Sequence, residues 1–271
     1  MNTSRVLFIA VATTAAAAIL SVWSAMSAAD EDKPKLEPGF RWVFDPGAPG
    51  LDGWHKNPAK IGHGTGGRWV AEDGVIVGGQ EPAGNGGIFL TDEKFRDFEV
   101  VFETKPDWGC CSGFFVRSND KGQCYQVMID YHDAGNVGEI YREGLDGKTN
   151  RTFQIDGVYD DADKKLLKAI KATRVEKNAQ GAGGEPNFNL ADWPKIWKLG
   201  DWNTIRVRVE GNPPTITTWL NGTFITKYTS DEKFTDALGD AGSLALQVHG
   251  GGGWPMGAKV RFRRIQVKDM R

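Results

Sequence analysis

Three short stretches carry groups suited to acid–base work. SGFFVRS (112–118) holds Arg117, YQVMIDYH (125–132) holds Gln126, Asp130 and His132, and SLALQVHGG (243–251) holds Gln247 and His249. An imidazole titrates near neutral pH with little tuning, a carboxylate can take a proton, orient a histidine or hold a cation, and a guanidinium stabilises developing negative charge. In the middle stretch Tyr125, Val127, Ile129 and Tyr131 alternate with Gln126, Met128, Asp130 and His132, the period of a strand with one apolar and one polar face. Each polar residue alone has an ordinary explanation: Arg117 beside Asp130 as a surface pair, His249 as a strand end, His55 and His63 as loop histidines. The case for a site rests on the three stretches offering the same kind of face.

Strands must bring those faces together. If SNDKGQ (118–123) turns the chain so that Ser118 faces Gln123, Cys111 lies opposite Asp130, Gly113 opposite Met128 and Cys124 opposite Arg117. Paired residues point the same way across a ladder, so Arg117 and Asp130 are expected to share a face, with space at Gly113 and an approachable backbone at Gly250–Gly253. The same register leaves Cys111 and Cys124 roughly 20 Å apart, too far for a local disulfide, so Cys110, Cys111 and Cys124 are expected to be free buried thiols.

Strand-like runs recur along the chain: Arg68 to Val77, Phe98 to Thr104, Gly113 to Arg117, Tyr125 to Tyr131, Thr204 to Glu210, Thr215 to Leu220, Thr223 to Tyr228, Ser243 to His249 and Lys259 to Lys268. Gly, Asn, Asp or Pro separate them, which predicts an all-β sandwich or barrel rather than βαβ units. Asn221-Gly222, between two alternating runs, suits a type I′ hairpin turn. One exception stands out. In DDADKKLLKAIKATRVEK (160–177), Leu166, Leu167 and Ile170 fall at helical spacing among lysines, so one short helix is expected in a long loop that runs to Gly200. Three tryptophans in NFNLADWPKIWKLGDW (187–202) either pack that loop down or stack on a sugar ring.

The N-terminus reads as a secretory signal peptide over residues 1–29. It has Arg5, an apolar run from Val6 to Leu20 and small residues at Ser27, Ala28 and Ala29 for cleavage. A linker over 30–38 and a single domain over 39–271 follow, exported to the periplasm or the extracellular space, with no membrane span once the signal is removed. The net charge of −2 gives no reason to expect nucleic acid or an anionic membrane as a partner.

Read in order, VFD with LDGW (51–54), WVAEDGVIVG (69–78), DFEVVFETK (97–105), SGFFVR, YQVMID, DWNTIRVRVEG (201–211), WLNG (219–222), LQVHG (246–250) and VRFRRIQV (260–267) resemble the 3-keto-disaccharide hydrolase domain family. The resemblance implies a concanavalin A-like lectin/glucanase jelly roll and cleavage of glycosides already oxidised to a ketone at C3. Gln126 and Met128 stand where many members have glutamate and glutamine. Cys111 replaces an asparagine, and Asp130 sits one position earlier than the common aspartate. A C3 ketone acidifies the C2 hydrogen, so a base can remove that proton, the C1 substituent leaves by β-elimination, and water then adds.

On that reading His249 is base or acid, Asp130 orients a histidine, acts as base or holds a divalent cation, and Arg117 or such a cation stabilises the enolate. Gln126, His132, Gln247 and Trp254 are the expected contacts to a carbohydrate substrate. Asp130, His132 and His249 would form a mixed O/N metal set, although their spacing matches no compact metal motif. Two rivals share the fold. A retaining glucanase needs two carboxylates about 5 Å apart, whereas this strand offers one. A non-catalytic carbohydrate-binding module would use the same face without chemistry.

Overall fold

The computed structural model describes residues 35–47 and 49–270. The expected signal peptide and most of the linker lie outside them. Among the described residues sixteen strands follow in order: β1 (Arg41–Phe44), β2 (Trp54–Lys56), β3 (Arg68–Glu72), β4 (Val75–Gly79), β5 (Gly87–Phe95), β6 (Phe98–Thr104), β7 (Cys110–Ser118), β8 (Cys124–Tyr131), β9 (Asn136–Glu143), β10 (Phe153–Tyr159), β11 (Leu167–Arg174), β12 (Asn203–Glu210), β13 (Thr215–Leu220), β14 (Thr223–Thr229), β15 (Gly242–Val248) and β16 (Val260–Asp269). An eight-stranded sheet runs β14-β13-β12-β6-β16-β4-β3 with β1 on β16, and a six-stranded sheet runs β2-β5-β15-β7-β8-β9. The first and last strands are therefore neighbours, with Arg41 opposite Val267.

Alternation explains the sandwich. In β12, Ile205, Val207 and Val209 are fully buried, while Arg206 and Arg208 turn outward onto Glu99 of β6. From the other sheet Phe114 and Val116 of β7 and Val127 and Ile129 of β8 join the same core. Phe102 of β6 stacks on Phe114 with ring centroids 4.0 Å apart, which marks the contact between the layers. These two-sheet, antiparallel connections form a jelly-roll sandwich.

Three local readings change. Residues 68–77, expected as one strand, form the hairpin β3–β4, because Asp73 and Gly74 adopt φ of 48° and 75°. Such positive φ values at both central residues suit the I′ turn, as they do at Asn221 and Gly222 (46° and 84°). The helix expected over 160–177 is instead the turn and second strand of a β10–β11 hairpin, in which Ile170 faces Gly157. Phe153, Ile155 and Ile170 bury on one side while Leu166 stays exposed, so the core decides an apolar spacing that alone fits either helix or strand. The short helix in this long connection is Trp193–Ile196, after a 3₁₀ turn at Leu190–Asp192 capped by Asn189. Trp193 and Trp197 are buried and stacked at 6.2 Å, so they pin the connection down rather than offer a face to sugar. Among the described residues no helix is long and apolar enough to cross a membrane.

Candidate functional site

The site is built on the face of the six-stranded sheet turned away from the inter-sheet core. Cys111 pairs with Asp130, Gly113 with Met128 and Phe115 with Gln126, the register expected from the turn. Across β7, Ala245 pairs with Phe115, and the His249 amide donates to the Cys111 carbonyl at 3.3 Å. One half of this face is apolar, with Ile88, Leu90, Phe115, Cys124 and Ala245 closed over by Ile61. The other half opens as a cavity of about 430 Å³ whose lining includes Gln126, Asp130, Gln247 and His249. Gly113 is needed there, since a Cβ would stand 2.5 Å from the Gln126 amide.

A chain of contacts crosses the cavity floor. Gln126 Nε2 donates to Gln247 Oε1 at 3.2 Å, and the Gln247 amide lies 3.2 Å from His63 Nε2. His63 Nε2 is 3.2 Å from Glu143 Oε1, and its ring meets the His249 ring edge to face at 4.5 Å. Cys111 Sγ donates to Asp130 Oδ1 at 3.3 Å.

His249 Nδ1 is 2.6 Å from the Gly250 carbonyl. A carbonyl only accepts, so Nδ1 carries the hydrogen and Nε2 is left with its lone pair. Burial, opposed by that Gly250 bond and aided by His63, holds the His249 pKa below the ordinary 6.5, so the ring is a neutral base at pH 7. Burial likewise raises Asp130 from 3.8 to about 6, against the lowering pull of the Cys111 bond, His132 and Arg151. The Cys111 thiol is pushed far above its ordinary range by burial and then by Asp130, which makes it a hydrogen-bond donor and no nucleophile.

Asp130 therefore costs stability at neutral pH. A raised folded-state pKa contributes stability below about pH 3.8 that is lost as pH rises through about 6. Asp130→Asn should match the wild type at pH 3.5 and melt at a higher temperature at pH 7. Thermal melts of both proteins across that range check this, and a variant that is less stable at pH 7 contradicts it.

Arg117 is not part of the cavity. Three residue steps of β7, from Phe115 to Ser118, span two of β15, from Ala245 to Ser243. At this bulge Arg117 takes φ of 53°, which breaks the parity that would have kept it on the face of Asp130. Its buried guanidinium donates to the Arg96 carbonyl at 2.7 Å and to Asp97 at 3.0 Å. The cation that lines the cavity is Arg151, held by the Phe153 carbonyl at 3.2 Å and the Gly135 carbonyl at 3.0 Å.

Trp254 lines a separate cavity of about 540 Å³ with Gln80 and Met256, and its indole donates to Ala258 at 3.0 Å. His132 stands beside the cavity with Nδ1 on the Asp133 carbonyl at 2.8 Å. Cys111, Asp130 and His132 offer donor atoms within 4.8 Å of one another, a mixed S/O/N set that suits a borderline cation such as zinc. His249 is outside that group, which differs from the Asp130, His132 and His249 set expected.

Tyr141, Glu143 and Arg151, none of them expected there, reach the cavity, and so does His63, expected as an ordinary loop histidine. Tyr141 faces Gln126 across β8–β9, so reading 136–143 as a third strand would have found it. His63 has a fainter signal: GHGTGG and HGGGG are two glycine-rich runs with a histidine each. A Cβ at Gly250 would fall 2.0 Å from the His63 carbonyl, so glycine lets the two runs press together. Glu143 does not restore a glucanase pair. It faces Cys124, six residues along β8 from Asp130, and its carboxylate meets His63 Nε2 at 3.2 Å instead of pairing with Asp130.

A jelly-roll sandwich with an acid–base cavity on one sheet face defines the class of protein. The chain belongs to the 3-keto-alpha-glucoside-1,2-lyase-like domain family, whose model matches residues 39–268. No curated protein matches the sequence. Among solved structures, a protein described as a glycosyl hydrolase from Parabacteroides distasonis is similar at 20% identity over 88% of this chain and 99% of that one, with a TM-score of 0.49. A β-glucanase of Bacillus licheniformis is similar at 13% identity over 84% and 97%, with a TM-score of 0.45. A carbohydrate-binding module from Bacillus subtilis is similar at 11% identity over 80% and 96%, with a TM-score of 0.42. At such distances these likenesses carry no argument about chemistry.

Proposed function

We propose that this chain cleaves 3-keto-glycosides by elimination followed by hydration, and that the segment 1–29 directs its export. The observation that carries the reading is His249, a neutral imidazole whose Nε2 is unprotonated inside a cavity of sugar size. His249 takes the proton from C2. The electron pair of that bond forms the C1–C2 double bond, and the bond from C1 to the aglycone oxygen breaks. Arg151 offers a donor for the charge that gathers on the C3 oxygen, and below about pH 6 the protonated Asp130 carboxyl offers a second. The amides of Gln126 and Gln247 hold ring hydroxyls. Water then adds at C1 and His249 returns the proton to C2, so the net reaction is hydrolysis.

A non-catalytic binding module gains little support, because Trp193, Trp197 and Trp254 are all buried and none lines the cavity on the sheet. Deuterium placed at C2 of a 3-keto-glucoside tests the mechanism. Abstraction by His249 should give a primary isotope effect or pass the label to solvent. Product that keeps all its deuterium, formed without an isotope effect, would mean direct displacement at C1.

A further inference from the structure

Elimination needs a second group that His249 cannot supply. While His249 accepts the C2 proton, an aglycone oxygen that is a poor anion needs a proton of its own. We propose that the His63–Glu143 pair is the general acid of this site and delivers the proton it holds to the leaving oxygen. The proposal rests on the elimination reading above.

Position supports it. His63 Nε2 and Glu143 Oε1 lie 3.2 Å apart with side-chain exposures of 13% and 22%, so the pair is sheltered yet reaches the cavity. The contacts run in order from Glu143 to His63, from His63 to the His249 ring 4.5 Å away, and from the His249 amide to Cys111 beside Asp130. Acid and base are thus neighbours, and the candidate enolate donors line the same cavity. The loop is built to hold His63 there. Ile61 and Gly64 exchange hydrogen bonds at 3.0 and 2.9 Å around it, and the Gly86 amide donates to the His63 carbonyl at 2.9 Å. A bystander histidine needs no such close packing against the strand that carries the base.

The protons balance. In the first step His249 gains the C2 proton and the pair loses one to the aglycone oxygen. In the second, water adds at C1, the pair takes its proton, and His249 gives one back to C2. The pair therefore ends as it began, acid in elimination and base in hydration.

Leaving-group dependence separates this role from a structural one. Methyl and 4-nitrophenyl 3-keto-glucosides differ in how much they need an acid, because nitrophenolate leaves unaided. His63→Ala should lose about 10²–10⁴ in kcat on the methyl glycoside and under about tenfold on the nitrophenyl glycoside. Glu143→Gln, which keeps the shape of the side chain, should show the same asymmetry, and His63→Ala should still exchange the C2 hydrogen with solvent. Equal losses on both substrates, with or without a lowered melting temperature, would reduce the pair to scaffolding. No loss on either substrate would remove it from the reaction. Wild-type protein that releases neither aglycone would instead overturn the elimination reading, and this proposal with it.

Discussion

His249→Ala is expected to lower kcat on a 3-keto-glycoside by about 10²–10⁴, with a melting temperature close to that of the wild type. A positioned base contributes that factor, and one decade corresponds to about 1.4 kcal/mol of barrier. The fold should survive because the side chain is only half-buried and its Nδ1 bond goes to the adjacent Gly250 carbonyl rather than across the core. KM should change little, since the amides of Gln126 and Gln247 and the Arg151 guanidinium remain. The loss should also have a pH signature. Wild-type activity should rise with pH on an acid limb set below the ordinary histidine range, and the variant should lack that limb. Steady-state kinetics from pH 4 to 8 would show both effects. Activity retained in full, or an unchanged acid limb, would remove His249 as the base.

Much of this was legible in the sequence because the physics is local. The Ser118–Gln123 turn fixes β7 against β8, and once Cys111 faces Asp130 every other pair on that ladder follows with period two. LQVHG places Gln247 and His249 on the same face by the same rule. What escaped was whatever breaks the period. One extra residue in β7 against β15 turned Arg117 away to Asp97, and a bulge of this kind leaves no mark in a run as regular as SGFFVR. Arg151 and His63 reach the cavity from irregular segments, where no repeat says which way a side chain points. The β10–β11 hairpin was hidden for a different reason. Leu166, Leu167 and Ile170 fit a helix as well as a strand, and only the partners Phe153 and Ile155 decide.

The second large effect concerns the substrate itself. An unoxidised glucoside has no ketone to accept the electron pair left at C2, so a base of ordinary strength beside that hydrogen achieves nothing. Direct displacement would need a second carboxylate about 5 Å from Asp130, and alternate positions of β8 supply Gln126 and Met128 instead. Discrimination should therefore be close to complete, beyond what pocket contacts alone can give. One missing contact is typically worth about 1–3 kcal/mol.

The most direct measurement is release of the aglycone from one glucoside offered in two forms, oxidised at C3 and unoxidised, at equal concentration with the same purified protein. Release from the 3-keto form with none detectable from the plain glucoside is the expected result. Comparable release from both, or release from the plain glucoside alone, would contradict elimination as the chemistry of this cavity.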